Sequence, residues 1–383
     1  MAGYFDHNAT TPLDERVLEA MLPFLTGSFA NPSSTHRMGR LARSAIETAR
    51  EQVAAMVKVH PSQVIFTSGA TEANNAAIWG VGLRQPPGQM LFSGVEHASV
   101  QEAMLALNHH GWQNRRLAVD TDGHTSVDQI AAHLNEQTRL VSVMWANNET
   151  GVLNDICALA KLARDRKVLL HTDAVQAAGK LAVDFTASGA HLMSLSAHKV
   201  YGPKGAGALI VERGLELEPL LHGGGQEKGR RGGTENVPGI VGFGKAAELA
   251  TQELATRQAH MRLMRERFET GLRKVLPESV IFAEQAERLA NTVFMAVPGI
   301  DGETLILALD RQGYAVSAGA ACGSDLHMPS TTLKAMGVDA DLARCAVRVS
   351  LGVTTTEADV DGLAETIKQQ VTQLQGRAAT AWA

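Results

Sequence analysis

Apolar residues are distributed along this chain in two alternating patterns. Short continuous apolar runs, such as 89–93, 140–144 and 168–173, predict strands that are buried on both faces. Between them, apolar residues recur at intervals of three or four, most clearly over 40–58, which predicts amphipathic helices. Because buried strands that alternate with helices form parallel sheets covered on both faces, the pattern predicts an α/β fold with a mainly parallel sheet.

The other predicted elements continue this alternation and then change to a mixed α+β order near the end of the chain. Further strands are predicted at 4–6, 64–66, 115–119, 191–195, 207–211, 292–297 and 346–350. Further helices are predicted at 14–25, 70–80, 99–110, 127–134, 157–166, 253–275, 303–312, 330–336 and 357–375. The glycine-rich segment 220–236 predicts a loop, and its arginine and threonine residues favour a functional one.

The chain length and the long helix at 253–275 predict two domains. A chain of 383 residues exceeds the size at which a single hydrophobic core usually stops growing. We therefore expect a large α/β domain over 15–255 and a smaller α+β domain over 256–383, with the segment 1–14 packing near the small domain.

Composition and charge exclude several functional classes. The formal net charge of −5 gives no basic footprint for nucleic acid or an anionic membrane. No apolar run approaches the roughly 18 residues of a membrane-spanning helix, and the first residues lack the apolar core of a signal peptide. The three cysteines, Cys157, Cys322 and Cys345, have no metal-binding spacing. Together these features predict a cytoplasmic protein in a reducing compartment that contacts neither membrane nor nucleic acid directly.

One lysine lies between two predicted buried strands. Lys199 follows the strand at 191–195, and a turn at 202–205 leads into the strand at 207–211. A lysine that is desolvated in such a position has a lowered pKa, which suits it for a Schiff base with a carbonyl substrate or with pyridoxal phosphate. Taken alone, Lys199 is explained as well by an exposed lysine in a hairpin.

A strand, a glycine turn and a helix start follow one another at 64–80. The turn contains Gly69, Ala70 and Thr71, and the helix begins within it. The unpaired backbone N–H groups and the dipole of a helix N-terminus attract anions, so this segment is a candidate phosphate site. An ordinary helix capped by Ser68 or Thr71 is the alternative.

Polar residues at the carboxyl ends of the predicted strands lie where α/β proteins bind ligands. These residues are Thr71, His97, Asn147 and Asp173. Asp173 could keep a pyridine nitrogen protonated while Lys199 carries the aldehyde, which is the electron-sink arrangement of pyridoxal phosphate enzymes. Individually, Asp173 also fits a helix cap and His97 a structural histidine.

A set of phosphate-binding residues and Gln176 would complete such a site. The phosphate could be held by the turn at 69–71 together with Ser196 and His198. Gln176 lies three residues after Asp173. Taken alone, it is explained by an ordinary surface residue of a helix. Only the joint pattern indicates a pyridoxal phosphate site.

Seven segments carry motifs, which lie at 66–72, 95–97, 141–151, 172–176, 196–205, 229–236 and 347–352. Together they resemble the cysteine desulfurases of the NifS/IscS group, within the class V aminotransferases of fold type I. The resemblance covers nearly the whole chain. It implies a homodimer that uses pyridoxal 5'-phosphate as cofactor and L-cysteine as substrate.

The resemblance also implies a role for each matching residue. Lys199 would carry the cofactor, with Asp173 at the ring nitrogen, Gln176 at the phenolic oxygen and His97 stacked on the ring. The phosphate would contact Ala70, Thr71, Ser196 and His198, and Thr234 would reach the phosphate of the neighbouring subunit. Asn147 and Arg348 would hold the substrate, Arg348 by a two-point contact with its carboxylate that a lysine could not reproduce.

Cys322 is the second reactive residue that the resemblance implies. Glycines and other small residues surround it, which predicts a loop that can swing. Cys157, in an apolar helical pattern, and Cys345, at the start of a strand, are expected to be buried, inert thiols. The loop departs from the usual family pattern at Ala320 and Gly323, where serine and threonine are common.

The reaction that the resemblance implies has two nucleophilic steps. The freed amine of Lys199 removes the α-proton of L-cysteine, and the Cys322 thiolate then attacks the substrate sulfur. The products would be L-alanine and a persulfide on Cys322, which passes its sulfur to an acceptor protein such as an iron–sulfur scaffold. The alternatives are a selenocysteine lyase, an aminotransferase and a non-catalytic sulfur-carrier scaffold, and the sequence leaves the acceptor unnamed.

Overall fold

The computed structural model describes residues 3–318 and 330–381, with side chains to residue 376. Its strands are β1 (Gly3–Tyr4), β2 (Val64–Thr67), β3 (Gln89–Ser93), β4 (Gln113–Leu117), β5 (Thr138–Ser142), β6 (Leu169–Asp173), β7 (Leu192–Ser196), β8 (Gly207–Val211), β9 (Val280–Ile281), β10 (Thr292–Ala296), β11 (Tyr314–Ala315) and β12 (Ala346–Ser350). Its helices are α1 (Glu15–Thr26), α2 (Arg37–Met56), α3 (Ala70–Arg84), α4 (Ala98–Ala106), α5 (Val127–Ala131), α6 (Ile156–Asp165), α7 (Phe185–Ser188), α8 (Val237–Gln252), α9 (Leu254–Val275), α10 (Gly302–Arg311), α11 (Thr331–Ala335), α12 (Ala340–Arg344) and α13 (Glu357–Ala381).

A seven-stranded sheet forms the centre of the fold, in the order β2-β8-β7-β6-β5-β3-β4. Strands β7, β6, β5, β3 and β4 are parallel to one another, whereas β8 runs antiparallel to both β7 and β2. Because the parallel strands point the same way, the polar residues at their carboxyl ends lie along one edge of the sheet. The predicted α/β fold with a mainly parallel sheet is confirmed.

Two large hydrophobic clusters form much of the core in the described part of the chain. The first combines one face of the large sheet with residues of α2, α6 and α8. The second packs α9, α10 and α13 against the antiparallel sheet β12-β10-β9. Phe5, which is fully buried, belongs to the second cluster, and β1 pairs with β11. The chain therefore begins against the second cluster and enters the first at Val17.

Helix α8 is the main element that the sequence pattern does not predict. Its glycines, among them Gly242 and Gly244, and its proline have low helix propensity, which obscures the apolar periodicity. The structure explains the glycines by packing, because a Cβ on Gly244 would lie 2.5 Å from the Cα atom of Ala49 in α2. Close contact between the two helices therefore outweighs the weak propensity.

Two strands begin and end two residues earlier than predicted. At β5 the apolar run extends beyond the end of the strand, because Val143 and Met144 lie outside the strand but are still buried. At β4 the polar residue Gln113 is exposed on an edge strand, so the apolar signal lies only at the strand's end. None of the helices in the described part of the chain is both long enough and apolar enough to cross a membrane.

Candidate active site

A cavity of about 590 Å³ lies at the carboxyl edge of the parallel strands. Of the residues predicted from sequence, those that line it are Ala70, Thr71, His97, Asp173, Gln176, Ser196, His198, Lys199 and Arg348. The N-terminal segment adds Asn8, Ala9 and Thr10 to the wall. Because Arg348 lies on β12, the cavity joins the large sheet to the antiparallel sheet.

One end of the cavity is suited to an anion. The first residues of α3 face it, and the N-cap residue Gly69 makes no side-chain capping hydrogen bond. The buried Ser196 hydroxyl has no hydrogen-bond partner among the described residues. A Cβ on Gly207 would lie 2.7 Å from Gly69, so only glycine lets β8 approach this turn so closely. The first N–H groups of a helix have no partner within the helix, so the start of α3 beside the Ser196 hydroxyl fits the oxygens of a phosphate group.

Asp173 is the buried carboxylate of the cavity, and two donors hold it. Its Oδ2 accepts a hydrogen bond from Asn74 Nδ2 at 2.9 Å, and its Oδ1 accepts one from the Val175 backbone at 3.0 Å. Burial, reinforced by the negative charge of Asp173, raises the pKa of neighbouring Glu96 to about 8. Glu96 is therefore neutral near pH 7.

His97 is connected to Asp173 through two side chains. Asn74 donates to the Ser99 hydroxyl at 2.8 Å, and that hydroxyl lies 2.8 Å from His97 Nδ1. The Ser99 backbone N–H also donates to Nδ1, at 3.1 Å, because His97 is the N-cap of α4. Since Nδ1 accepts, the neutral ring carries its proton on Nε2. Asn74 and Ser99 were not predicted from sequence, where they look like ordinary helical residues.

Lys199 ends a short 3₁₀ helix, Ala197–Lys199, on the connection between the antiparallel strands β7 and β8. Its ammonium group donates to the backbone carbonyls of Ala9, at 2.8 Å, and Asn8. The amine is therefore held at the cavity wall by the N-terminal segment. Sequence reasoning did not predict this contact, because it joins residues about 190 positions apart.

His198, beside Lys199, is a neutral histidine. Burial, followed by the positive charges of Lys199 and Lys204, lowers its pKa to about 4. Its Nδ1 lies 3.1 Å from the Thr10 hydroxyl. The ring is therefore uncharged at neutral pH and is fixed against the N-terminal segment.

The two asparagines at 147 and 148 have different environments. Asn147 is 1% exposed, and its Oδ1 accepts from the backbone of Glu149 and Thr150 at 2.9 Å each. Asn148, not Asn147, lines the cavity within the described part of the chain. The Asn148 carbonyl accepts from Arg348 at 3.0 Å. The side chain of Asn147 thus shapes the loop, while Asn148 is the asparagine at the cavity wall.

Arg348 and Thr234 also differ in position. Arg348 is 2% exposed and forms an ion pair with Asp6 at 2.6 Å. Thr234 lines a separate space of about 190 Å³ together with Ser68 and Gly205. The structure therefore brings Arg348 to the main cavity and leaves Thr234 outside it.

The cysteines differ from the prediction at one position. Cys345 is buried, but Cys157 is exposed, which corrects the expectation that both are buried. The buried face of α6 consists of Ile156, Leu159, Ala160 and Ala163, and Cys157 lies to the side of it. Although the residue is exposed, partial desolvation of its thiol, followed by the negative charges of Asp155 and Asp184, raises the pKa of Cys157. Cys322 and its loop lie outside the described residues.

The two described flanks of that loop are attached near Arg348. Ser317 exchanges backbone hydrogen bonds with Arg348, at 3.1 and 2.6 Å. On the other side, the hydroxyls of Ser330 and Thr332 donate to buried Glu149, the latter at 2.8 Å. Within residues 3–318 and 330–381, no cluster of histidine, cysteine or acidic side chains could hold a metal ion.

Comparison with known proteins gives consistent matches over nearly the whole chain. The family model described as aminotransferase class-V matches residues 3–363. Cysteine desulfurase IscS of Methanosarcina thermophila is 40% identical over 98% of this chain and 93% of its own. A cysteine desulfurase of Cereibacter sphaeroides is 43% identical over 97% and 96%, respectively.

Solved structures agree with these sequence relatives. A NifS-like protein superimposes with a TM-score of 0.91 at 36% identity, covering 97% of this chain and all of its own, 100%. A NifS-like protein from Rickettsia africae gives a TM-score of 0.87 at 32% identity, with 96% and 99% covered. The chain therefore belongs to the class V aminotransferase family and, within it, to the cysteine desulfurases of the NifS/IscS group.

Proposed function

We propose that this protein is a cysteine desulfurase that binds pyridoxal 5'-phosphate in the 590 Å³ cavity and converts L-cysteine to L-alanine. The observation that carries the proposal is the convergence of Lys199, Asp173 and the uncapped start of α3 on that one cavity. The sulfur would be retained as a persulfide on Cys322. Relatives that bear the name cysteine desulfurase support the assignment.

The residues present fit the cofactor chemically. The α3 N-terminus and the Ser196 hydroxyl would hold the phosphate, and Lys199 would form the covalent bond. Asp173 would keep the ring nitrogen protonated, Gln176 would contact the phenolic oxygen and His97 would stack on the ring. When bound, the cofactor supplies an electron sink for the charge that develops at the substrate α-carbon.

The substrate carboxylate would be bound by Arg348. Its guanidinium group is held by Asp6 and by the Asn148 carbonyl, so its orientation is set before substrate arrives. A planar guanidinium group can meet a carboxylate at two points, which fixes the amino acid in one direction. Asn148, rather than the Asn147 expected from sequence, is the asparagine that we assign to this part of the cavity.

Proton transfer is assigned to Lys199 and His97. After the substrate amine has replaced it, the Nζ atom of Lys199 would take the α-proton of L-cysteine. The carbonyls of Asn8 and Ala9 keep that amine inside the cavity. His97 would offer the proton on its Nε2 atom, because Nδ1 already accepts from Ser99.

Sulfur transfer is assigned to Cys322. Its thiolate would attack the sulfur of the bound L-cysteine, so that an S–S bond forms and the C–S bond breaks. The carbon skeleton keeps the electron pair, takes up protons and leaves as L-alanine. The persulfide would then pass its sulfur to an acceptor protein, such as a scaffold for iron–sulfur cluster assembly.

We extend the proposal to assembly and location. Residues 15–255 would form the cofactor domain, while 256–383, with 1–14 beside it, would supply Arg348 and Cys322. Thr234, which lines a separate space beside the cavity, would reach the phosphate of a partner subunit in a homodimer. The proposed compartment is the cytoplasm, where thiols stay reduced.

The test is to incubate the purified yellow protein with L-cysteine and to identify the products by mass spectrometry. The proposal predicts L-alanine together with a mass increase of one sulfur atom on the protein. Release of a keto acid would indicate an aminotransferase. A protein without visible cofactor absorbance would revive the non-catalytic scaffold.

A further inference from the structure

Lys180 is a buried lysine to which the proposed reaction gives no role. It lies just beyond the cavity wall and is 6% exposed. Its ammonium nitrogen contacts two neutral amide oxygens, Gln176 Oε1 at 2.7 Å and Asn8 Oδ1 at 2.8 Å. Burial, followed by the positive charges of Lys199 and Arg348, lowers its pKa well below the ordinary value. A buried lysine is unfavourable unless its donors are used.

The orientation of Asn8 is fixed by groups that can only accept or only donate. Its Nδ2 donates to the Asn148 backbone carbonyl at 3.2 Å, and a carbonyl can only accept. Its Oδ1 must therefore face the other way, toward Lys180 and toward Asn291, whose Nδ2 donates to it at 3.0 Å. Lys180 thus meets an acceptor whose direction is already determined.

Gln176 is oriented by the same reasoning. Its Nε2 donates to the Asn8 backbone carbonyl at 2.9 Å, so its Oε1 points at Lys180. Because an amide nitrogen has two hydrogens, one remains for the cavity that Gln176 lines. In this arrangement Gln176 can only donate to a ligand in the cavity.

We propose that Lys180 is a positioning residue that holds Gln176 with its amide N–H toward the cavity, where it donates to the phenolic oxygen of pyridoxal phosphate. The inference rests on the proposed function. The positioning of Gln176 needs N–H donors on Lys180 and not a positive charge, because an ammonium group has three donors and a neutral amine has two.

Removing Lys180 would leave Gln176 Oε1 buried without a donor. The amide would then gain by turning its oxygen toward water in the cavity, since an unsatisfied buried acceptor costs about 1–3 kcal/mol. The cavity would face an acceptor in place of a donor. A phenolic oxygen that loses a hydrogen-bond donor is harder to ionise, so its protonated form becomes more stable.

The test is a pH titration of the visible absorbance of the bound cofactor in the absence of L-cysteine. We expect Lys180→Met to raise the pKa of that absorbance change by about one unit, the size of a hydrogen bond to a charged group. Gln176→Leu should raise it by a similar amount. The double variant should shift no further than Gln176→Leu alone, because Lys180 acts through Gln176.

Lys180→Gln separates hydrogen bonding from charge, because its amide can still donate to Gln176 Oε1 but carries no charge. We expect it to keep the wild-type pKa. Equal shifts in Lys180→Gln and Lys180→Met, additive shifts in the double variant, or no shift in Lys180→Met would each overturn the inference. If Lys180→Met does not fold, the pKa of the absorbance change in Lys180→Gln is compared with that in Gln176→Leu. A shift in Lys180→Gln as large as that in Gln176→Leu would overturn the inference.

Absorbance of the wild-type protein distinguishes failure of the proposed function from failure of the role of Lys180. A wild-type protein that shows no cofactor absorbance would contradict the proposed function. A wild-type protein with a titrating absorbance band, but with Lys180 independent of Gln176, would contradict only the role of Lys180.

Discussion

Single buried side chains determine the chemistry that the cavity can support. Asp173 is held by Asn74 and by the Val175 backbone, so its oxygens have one orientation. Asn74 also reaches Ser99, which contacts His97. The acid proposed for the ring nitrogen and the imidazole proposed for the ring face therefore belong to one hydrogen-bonded chain.

We expect Asp173→Ala to lower turnover by at least about 100-fold, the scale on which positioned acid–base groups act. An unprotonated pyridine is a poor electron sink, so the loss should exceed any effect on folding. The measurements are alanine formation and the midpoint of thermal unfolding on the same preparation. Wild-type turnover in this variant would make Asp173 a purely structural acid.

Lys199→Ala should abolish covalent attachment of the cofactor, because no other lysine follows the strand end that faces Asp173. Lys204, which lies just past the turn and also lines the cavity, should not substitute, and Lys180 donates to Gln176. Borohydride reduction followed by peptide mass spectrometry would locate the attachment. Lys161→Ala, which removes an exposed lysine on α6, serves as the control and should keep the label. A labelled Lys199→Ala protein that still forms alanine would refute the assignment.

Cavity residues could be predicted from sequence where they lie at the carboxyl ends of buried strands, because α/β proteins bind ligands there. Asp173, Ser196 and Lys199 follow directly from where buried strands end. Asn8 and Lys180 could not be predicted in this way, since their contacts join segments 172 residues apart. Asn147 shows a second limit, because the direction of a loop side chain depends on which backbone groups it must satisfy.

At the scale of elements, one histidine links three parallel strands. His171 on β6 lies 2.8 Å from the Ser142 hydroxyl on β5 and 3.0 Å from the Ser194 hydroxyl on β7. Burial lowers the pKa of His171 to about 4. The ring is therefore neutral in the folded protein and is protonated more readily once the sheet opens.

Because the folded pKa of about 4 lies below the unfolded value of about 6.5, stability from His171 is complete above pH 6.5 and is lost as pH falls toward 4. Relative to His171→Gln, the wild type should lose about 1.4 kcal/mol per pH unit in that window. Urea unfolding midpoints of both proteins between pH 7 and 4 measure the difference. Parallel pH profiles would contradict it.

The elements themselves were largely predictable, with identifiable exceptions. Strands that are apolar on both faces were predicted well, and β3, β8 and β12 have their predicted bounds. Helix α8 was not predicted because it contains glycines, which pack closely against α2. This packing cannot be inferred from the α8 sequence without the position of α2.

At the scale of the whole molecule, the N-terminal segment connects the two sheets across the cavity. The Asn8 backbone N–H donates to the Ser350 hydroxyl on β12 at 2.9 Å, and its Nδ2 donates to the Thr292 hydroxyl on β10 at 2.9 Å. Its backbone carbonyl accepts from Gln176 Nε2. The sequence indicated only that this segment packs near the C-terminal part. In the structure, the same segment also forms a wall of the cavity and holds both Lys180 and Lys199.

Mass spectrometry of Cys322→Ala after exposure to L-cysteine tests whether sulfur leaves L-cysteine by transfer to Cys322. Cys157→Ala, which removes an exposed thiol, is the matched control. We predict that Cys322→Ala keeps its yellow cofactor and binds L-cysteine, yet forms no persulfide and almost no alanine, while Cys157→Ala forms both. Undiminished alanine release by Cys322→Ala would contradict the account and indicate selenocysteine lyase or aminotransferase chemistry.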